Sequence, residues 1–197
     1  MTSTTSSSVS TVPIADRERA IATIVTAFTA DPPVRWILPE PKQYLTHGPE
    51  FVRRFCGNAF DHQSGFAAEG FSGAALWLPP GVDPDDEGIE AWIGHAVPEA
   101  DQEKVGAFFE EMDKFHPHDP IWYLAMIGVD PGSQGMGLGS AMLSHTLEQV
   151  DRDGKPAYLE ATTTRSRDLY ARYGFEVIGE IQSADSPTMY PMIRKAR

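Results

Sequence analysis

The chain has 197 residues, of which 41% are hydrophobic and 22% charged, and it carries a formal net charge of −12 at pH 7. This composition predicts one domain with a sizeable core, and the negative balance disfavours nucleic acid, because nucleic-acid binding needs a basic face. No apolar run is long enough to span a membrane, and the single cysteine, Cys56, excludes an internal disulfide, so we expect a cytoplasmic protein.

The first residues predict a polar tail. Residues 2–11 are all serine or threonine except Val9, a low-complexity composition that is typical of disorder. We therefore expect a disordered tail over residues 1–12 and a single domain over residues 13–197. The tail lacks the basic start and apolar centre of a secretory signal. A strand before residue 14 is an alternative interpretation.

Hydrophobic spacing predicts helices and a strand pair in the N-terminal half. Ile21, Ile24, Val25 and Phe28 recur at helical intervals, so residues 16–30 should form an amphipathic helix, which Asp31-Pro32-Pro33 terminates. The other predicted elements are a helix over residues 43–60, strands over 66–69 and 74–78, and a helix over 99–115. The acidic run at 83–87 is expected to be a solvated loop or the start of a helix.

The C-terminal half alternates strands and helices. Residues 121–129 are apolar on both faces, which is expected of a central strand covered on both sides. After it we predict a helix over 138–152, a strand over 157–160, a helix over 165–173, and strands over 175–181 and 189–193. The order of elements predicts a mixed α/β domain with one central sheet and helices on both faces.

A glycine-rich loop connects that central strand to the following helix. Glycines stand at 132, 135, 137 and 139, and the helix begins near Leu138. Such a turn exposes unpaired backbone N–H groups at a helix N-terminus, where the helix dipole adds partial positive charge. The loop therefore predicts a phosphate-binding site built from backbone.

Spacing excludes two common phosphate-binding loops. A dinucleotide loop needs glycine at the sixth position of Gly-x-Gly-x-x-Gly, but starting from Gly135 that position is Ser140. A nucleoside-triphosphate loop needs a Gly-Lys pair, and no lysine lies between Lys114 and Lys155. A different phosphate ligand is therefore expected.

Two motifs in the right order resemble those of the GNAT superfamily, the acetyl-CoA-dependent N-acetyltransferases. The first is Gln134-x-x-Gly137-x-Gly139 after a strand that ends Val129-Asp130-Pro131, and the second is Leu169-Tyr170-Ala-Arg-Tyr-Gly174-Phe175. The resemblance covers residues 14–194 and implies the GNAT fold. Five stretches are similar to the puromycin N-acetyltransferase-like subgroup: Pro120-x-Trp122, Gly128-Val129, Gln134-Gly135-x-Gly137-Leu138-Gly139-Ser140-Ala141, Leu159-Glu160 and Tyr170-x-Arg172-x-Gly174-Phe175.

The resemblance implies where acetyl-CoA, the expected co-substrate, would bind. Strand residues Ile127, Gly128 and Val129 would pair through their backbone with the pantetheine arm, while their side chains pack in the core. Ser166 stands where the family often has an asparagine that contacts the coenzyme. The pyrophosphate would be held by the loop, which consists of Gln134, Gly135, Met136, Gly137, Leu138, Gly139 and Ser140.

The same resemblance implies two catalytic residues. Tyr170 would be the general acid that protonates the leaving thiolate; otherwise it is an aromatic anchor between helix and sheet. Glu160 is our candidate for the base that takes a proton from the amine, with a salt bridge to Arg165 or Arg167 as the alternative. Weaker candidates for the base are Glu69, His118 and Asp119.

No metal is expected. The run His116-Pro-His118-Asp119 could suggest metal ligands, but it has no cysteine partner and two prolines lie nearby. Cys56 is expected to be a small buried hydrophobic residue rather than a nucleophile.

The sequence therefore predicts transfer of an acetyl group to the primary amine of a small molecule, by direct attack in a ternary complex. A monomer and a homodimer are both left open. One alternative is a non-catalytic module that senses coenzyme A on the same fold. Another is the transfer of a longer acyl group, which depends on the size of the pocket.

Overall fold

The computed structural model describes residues 8–197, without the side chain of Glu69. Seven strands form one mixed sheet, in the spatial order β1-β2-β3-β4-β5-β7-β6. The strands are β1 (Val9–Thr11), β2 (Gly65–Ala68), β3 (Gly73–Leu78), β4 (Trp122–Val129), β5 (Ala157–Ala161), β6 (Glu176–Val177) and β7 (Tyr190–Arg194).

Helices cover both faces of the sheet, as predicted. They are α1 (Arg17–Ala27), α2 (Pro32–Ile37), α3 (Pro41–Cys56), α4 (Asn58–Asp61), α5 (Asp86–Ala96), α6 (Glu99–Asp113), α7 (Leu138–Arg152) and α8 (Thr164–Ala171). None of the helices in residues 8–197 is long and apolar enough to cross a membrane.

The core has one layer on each side of the sheet. Successive residues of β3 show the alternation, because Leu76 packs with α1, α3 and α6 on one face, whereas Trp77 packs with α7 on the other. The two predicted faces of β4 divide in the same way, with Tyr123 on the first side and Leu124 on the second. The predicted α/β class with one central sheet is therefore confirmed.

One element, α2, was not predicted, and two others, α5 and β1, agree with the second alternative given for their positions. Pro32 and Pro33, which were expected to end the preceding helix, occupy the first turn of α2. A missing backbone N–H has no consequence there, because the first N–H groups of a helix have no acceptor within the helix. The acidic run includes Asp85, which caps α5, a full helix whose negative first turn suits the helix dipole. Strand β1 lies inside the predicted tail and pairs with β2, so the tail boundary at residue 12 is wrong for residues 9–12. Residues 1–7 of that tail lie outside the described residues.

Strands β4 and β5 separate soon after they meet. Their parallel pairing consists of two pairs of facing residues, Trp122↔Ala157 and Tyr123↔Tyr158. On its other side β4 pairs with β3 along its length, but Ala125 has no register partner there because the pairing shifts between Leu76 and Trp77. Such a bulge bends a strand and increases its twist. The edge of β4 from residue 125 to 129 therefore faces an open slot instead of β5.

The glycine-rich loop lies at the end of that slot. Gly135 and Gly137 have positive φ angles of 81° and 82°, and Gly137 is the N-cap of α7. Residues with a side chain adopt this left-handed conformation at a cost, so the turn into α7 depends on glycine at these two positions. Gly139 lies inside α7 and has no such requirement.

Alanine substitutions should separate these two kinds of glycine. Gly137→Ala should lower the free energy of unfolding by about 1–2 kcal/mol, because a methyl group is added to a left-handed residue. Gly139→Ala is the matched control, since an added Cβ would meet its nearest neighbours at 3.9 Å; it should be neutral or stabilise α7 by up to about 1 kcal/mol. Urea unfolding curves measure both values, and equal effects of the two substitutions would contradict this account.

Candidate active site

Two cavities meet where β4 and β5 separate. The first has a volume of about 430 Å³ and reaches between α1, α2, α3 and α6; we call it the aromatic pocket. The second, of about 810 Å³, extends along the glycine-rich loop and the start of α8; we call it the loop cleft. The residues that line both cavities are Ile127, Gly128, Val129, Gln134, Thr163, Arg165, Ser166 and Tyr170.

The loop cleft has the properties of an anion site. Gly137 caps α7 without a side chain, so the first N–H groups of this helix receive no side-chain acceptor. The dipole of the 15-residue helix α7 adds partial positive charge at the same place. Six of the seven predicted loop residues line this cleft. The exception is Met136, which is 69% exposed and lies outside the lining.

The predicted coenzyme contact Ser166 lies between the two cavities, but its hydroxyl is already used. It forms a capping box with Thr163: its Oγ donates to the Thr163 carbonyl at 2.9 Å and accepts from the Thr163 N–H at 3.2 Å. This contact fixes the first turn of α8. Ser166 therefore positions α8 along the cleft, and its contact with a coenzyme stays a prediction.

Tyr170 lies at the junction of the two cavities. Its ring packs edge-on against Phe175, with ring centroids 6.2 Å apart, and the residue is 7% exposed. Its hydroxyl makes no hydrogen bond to any of residues 8–197 for which side chains are described. Burial, and secondly the charge of Asp31, raise the pKa of Tyr170 above its usual value. The side chain therefore packs against Phe175 and lines both cavities with its hydroxyl protonated, and its role as general acid stays a prediction.

Glu160 lines the aromatic pocket on β5. The Tyr123 hydroxyl donates a hydrogen bond to its Oε2 at 2.8 Å. Burial raises the pKa of Glu160 to about 7, although the hydrogen bond from Tyr123 acts in the opposite direction. The alternative salt bridges are not formed in the described chain, since Arg167 pairs with Asp168 instead, at 3.1 Å. A carboxylate with a pKa near neutrality is suited to accept a proton.

Asp31 is a second carboxylate in the aromatic pocket. It was not identified from the sequence as a residue of the site. Its Oδ1 accepts the N–H of Val34 and thereby caps α2, and its Oδ2 accepts the Thr162 hydroxyl at 2.5 Å. Burial raises the pKa of Asp31. The Asp-Pro-Pro sequence is itself a helix-start signal and could have identified the cap. The contact with Thr162 spans 131 positions along the chain, so no local pattern indicates it.

Two of the three weaker candidates lie away from this site. His118 and Asp119 line neither cavity, and the side chain of Glu69 lies outside the described part of the structure. Cys56 is fully buried, as predicted, and burial raises the pKa of its thiol. It also lies outside the lining of both cavities, which leaves it no access to a substrate.

One group of potential metal ligands occurs away from the two cavities. His47 and Glu50 of α3 and His95 of α5 place their ligand atoms within 4.8 Å of one another. His95 Nε2 lies 3.0 Å from the Glu50 carboxylate, and that contact raises the pKa of His95. Glu50 and His95 therefore form an ion pair, and the ring of His47 lies beside that of His95. The run His116-Pro-His118-Asp119 forms no comparable group in residues 8–197.

Comparison with known proteins gives a consistent result. Residues 92–177 match the family model of the acetyltransferase (GNAT) domain. An uncharacterized N-acetyltransferase of Schizosaccharomyces pombe is 25% identical over 186 residues, which is 81% of this chain and 70% of that protein. The mycothiol acetyltransferase of Streptomyces avermitilis is 32% identical over 99 residues, which is 47% of this chain and 31% of that protein. The match thus spans about a third of the length of the latter.

A solved structure has the same fold throughout. The crystal structure of histone acetyltransferase HPA2 and related acetyltransferase from Corynebacterium glutamicum superposes with a TM-score of 0.70 at 27% sequence identity. The superposition covers 98% of this chain and 97% of that one. The fold of this chain, one mixed sheet with helices on both faces, is therefore the GNAT fold.

The raised pKa of Glu160 predicts how stability depends on pH. The carboxyl is stabilising in its protonated form, so this contribution is complete below about pH 4.5 and is lost as the pH rises through about 7. Glu160→Gln keeps a neutral group at all pH values. Its melting temperature relative to the original chain should therefore be higher at pH 8 than at pH 5. Differential scanning calorimetry at both pH values measures the difference.

The control is Glu148→Gln, because Glu148 is an exposed carboxylate on α7. This substitution should change the melting temperature by the same small amount at both pH values. A Glu160→Gln profile that matches this control would show that Glu160 titrates normally.

Proposed function

Because the chain carries a GNAT acetyltransferase domain and is an acyltransferase, we propose that it moves an acetyl group from acetyl-CoA to the primary amine of a small molecule. The two substrates bind together, and the amine attacks the thioester directly. Glu160 acts as the general base and Tyr170 as the general acid.

The observation that carries this proposal is the meeting of two chemically different cavities at Tyr170. The loop cleft offers backbone N–H groups, which suit the pyrophosphate of coenzyme A. The aromatic pocket offers apolar side chains and two carboxylates, which suit an amine. The acetyl donor in the loop cleft and the amine in the aromatic pocket would meet at the residues that both cavities share.

The open edge of β4 supports the placement of the coenzyme arm. Residues 125–129 have no strand partner on the side of β5, so their backbone groups on that side are available to an extended ligand. The pantetheine arm carries amides that can pair with them as another strand would. An N–H of Ile127, Gly128 or Val129 can then polarise the thioester carbonyl.

Each chemical step has a residue in the site. The Glu160 carboxylate takes a proton from the ammonium, either directly or through water, and the free amine forms a bond to the thioester carbon. The bond from carbon to sulfur then breaks, and Tyr170 donates its proton to the departing thiolate. The proton on Glu160 passes to solvent, and the second proton that the nitrogen loses as the amide forms restores the Tyr170 hydroxyl. The raised pKa of Tyr170 keeps its proton in place until negative charge develops on sulfur.

Direct transfer is supported by the position of Cys56. It is the single cysteine of the chain and is buried outside both cavities, so it cannot carry an acyl group between substrates. A ternary complex needs no such carrier.

A thiol-release assay tests the proposed reaction. Acetyl-CoA is incubated with the protein and a panel of amines that includes polyamines, aminoglycosides, arylalkylamines, peptide N-termini and amino-nucleosides. Puromycin belongs in this panel because of the resemblance described above. We expect free thiol with at least one amine. Coenzyme binding without thiol release for the whole panel would favour a sensor module, and faster release from longer acyl-CoA would favour a different acyl donor.

Tyr170→Phe should affect turnover rather than coenzyme binding. Phenylalanine preserves the ring that packs on Phe175 and removes the proton donor. We expect kcat to fall by about 10²–10⁴-fold, with the KM for acetyl-CoA nearly unchanged. The matched control is Tyr173→Phe. The Tyr173 hydroxyl donates to the Ser140 carbonyl at 3.0 Å, and the residue lies outside the lining of both cavities. Equal kcat values for Tyr170→Phe and the original chain would exclude the acid role.

Glu160 should set the acidic limb of the pH profile. The carboxylate is a base when deprotonated, so kcat should fall by about tenfold per pH unit below an apparent pKa of about 7. Glu160→Gln should lower kcat by about 10²–10⁴-fold and remove this limb. Tyr123→Phe removes the hydrogen bond that favours the carboxylate, so the limb should move to higher pH. A limb that stays in place in both variants would belong to another group.

A further inference from the structure

The aromatic pocket has a wall of aromatic side chains that the loop cleft does not share. Phe51 and Phe55 of α3 stack with ring centroids 5.3 Å apart, and Phe109 of α6 lies 6.1 Å from Phe51. All three line the pocket, and Phe28 at the end of α1 joins them. Because none of the four lines the loop cleft, the wall is available to the acceptor rather than to the coenzyme.

The polar side of the same pocket carries two carboxyl groups that form no ion pair within the described residues, although Arg165 also lines the pocket. Neither Asp31 nor Glu160 has a Lys, Arg or His nitrogen within 4.0 Å in the described part of the chain. The partners of Asp31 are the neutral Thr162 hydroxyl and the Val34 N–H. A partly buried carboxylate with neutral partners gains most from a ligand that brings a positive charge.

The two carboxylates are not equivalent. Asp31 is held by donors from α2 and from the end of β5, and its charge acts on the Tyr170 hydroxyl. Glu160 receives its hydrogen bond from Tyr123, inside the sheet. One carboxylate can therefore bind the ammonium while the other takes its proton.

On the premise of the acetyl transfer proposed above, we infer that the acceptor is a primary amine attached to a hydrophobic group of about the size of an aromatic ring. Asp31 binds the ammonium at the polar side of the pocket, and the apolar group packs against Phe51, Phe55 and Phe109. A volume of about 430 Å³ accommodates such a molecule. The carboxylates among the lining residues are Asp31 and Glu160, which bind the first ammonium and take its proton, so the second ammonium of a diamine or polyamine would lie against the aromatic wall without a carboxylate of its own.

Acceptor selectivity tests the apolar half of this inference. The compounds are 2-phenylethylamine, ethanolamine and putrescine, each with saturating acetyl-CoA. We expect kcat/KM for 2-phenylethylamine to exceed the values for ethanolamine and putrescine by about 10–100-fold, because binding in the pocket removes the ring from water. Phe109→Ala should reduce this advantage several-fold, measured within the variant as the ratio of kcat/KM for 2-phenylethylamine to kcat/KM for ethanolamine. Equal or better turnover of ethanolamine or putrescine would overturn the inference.

Asp31→Asn tests the charged half. Asparagine is as good an N-cap as aspartate, so α2 should be retained. We expect the KM for 2-phenylethylamine to rise by about tenfold or more, with an unchanged KM for acetyl-CoA. The neutral analogue 2-phenylethanol should inhibit the original chain and the variant equally, because it brings no charge to Asp31.

Asp85→Asn is the matched control. Asp85 caps α5 through the Gly88 N–H, as Asp31 caps α2, but it lies outside the aromatic pocket. Its substitution should leave both KM values unchanged, and melting temperatures of both variants report on folding. A KM for the amine that does not change in Asp31→Asn would refute the role of Asp31 while acetyl transfer itself stands. Thiol release with none of the amines tested would instead refute acetyl transfer.

Discussion

The short pairing between β4 and β5 is the constraint on which the site depends. Two parallel registers join the strands at their start, and the bulge at Ala125 then turns β4 away. A sheet that stayed closed here would bury residues 125–129 against β5 and leave no entry for an extended ligand. The separation instead exposes one edge of a central strand whose side chains remain in the core. Backbone is thereby available for binding without loss of packing.

The site also contains two carboxyl groups in partly buried positions. Their burial lowers the stability of the fold and raises their pKa values, which favours proton transfer. Glu160 has the Tyr123 hydroxyl as its partner, and Asp31 has that of Thr162. These neutral donors reduce the cost of burial but do not cancel it, so the pKa values of both carboxyls stay raised. A counter-ion from the protein would make both groups more stable and less reactive. An incoming ammonium can supply that charge at the moment when it is needed.

An ion pair between the buried Arg194 and the partly exposed Asp151 joins the elements around the candidate acid. Arg194 of β7 is 3% exposed and binds both carboxylate oxygens of Asp151, at 2.6 and 2.9 Å, while its Nε donates to the Tyr173 carbonyl at 2.9 Å. These bonds join the last turn of α7, the strand β7 and the turn after α8. Tyr170 lies in the last turn of α8, so this network limits its movement relative to the cleft. The hydrogen bonds from Arg194 lower the pKa of Asp151 and keep the pair charged at neutral pH.

The sequence by itself determined the order of most elements, the mixed α/β class, and the loop at 134–140, because apolar periodicity and glycine spacing are local properties. It missed α2, since a proline pair can end or begin a helix, and it left β1 open between a tail and a strand, since three residues carry little periodicity. Only the tertiary structure decided that Asp31 joins Glu160 in one pocket and that phenylalanines of α3 and α6, together with Phe28 after α1, form its wall. Those contacts join residues far apart in the chain, and the distance between such residues is set by the packing of helices on the sheet, which no local pattern records.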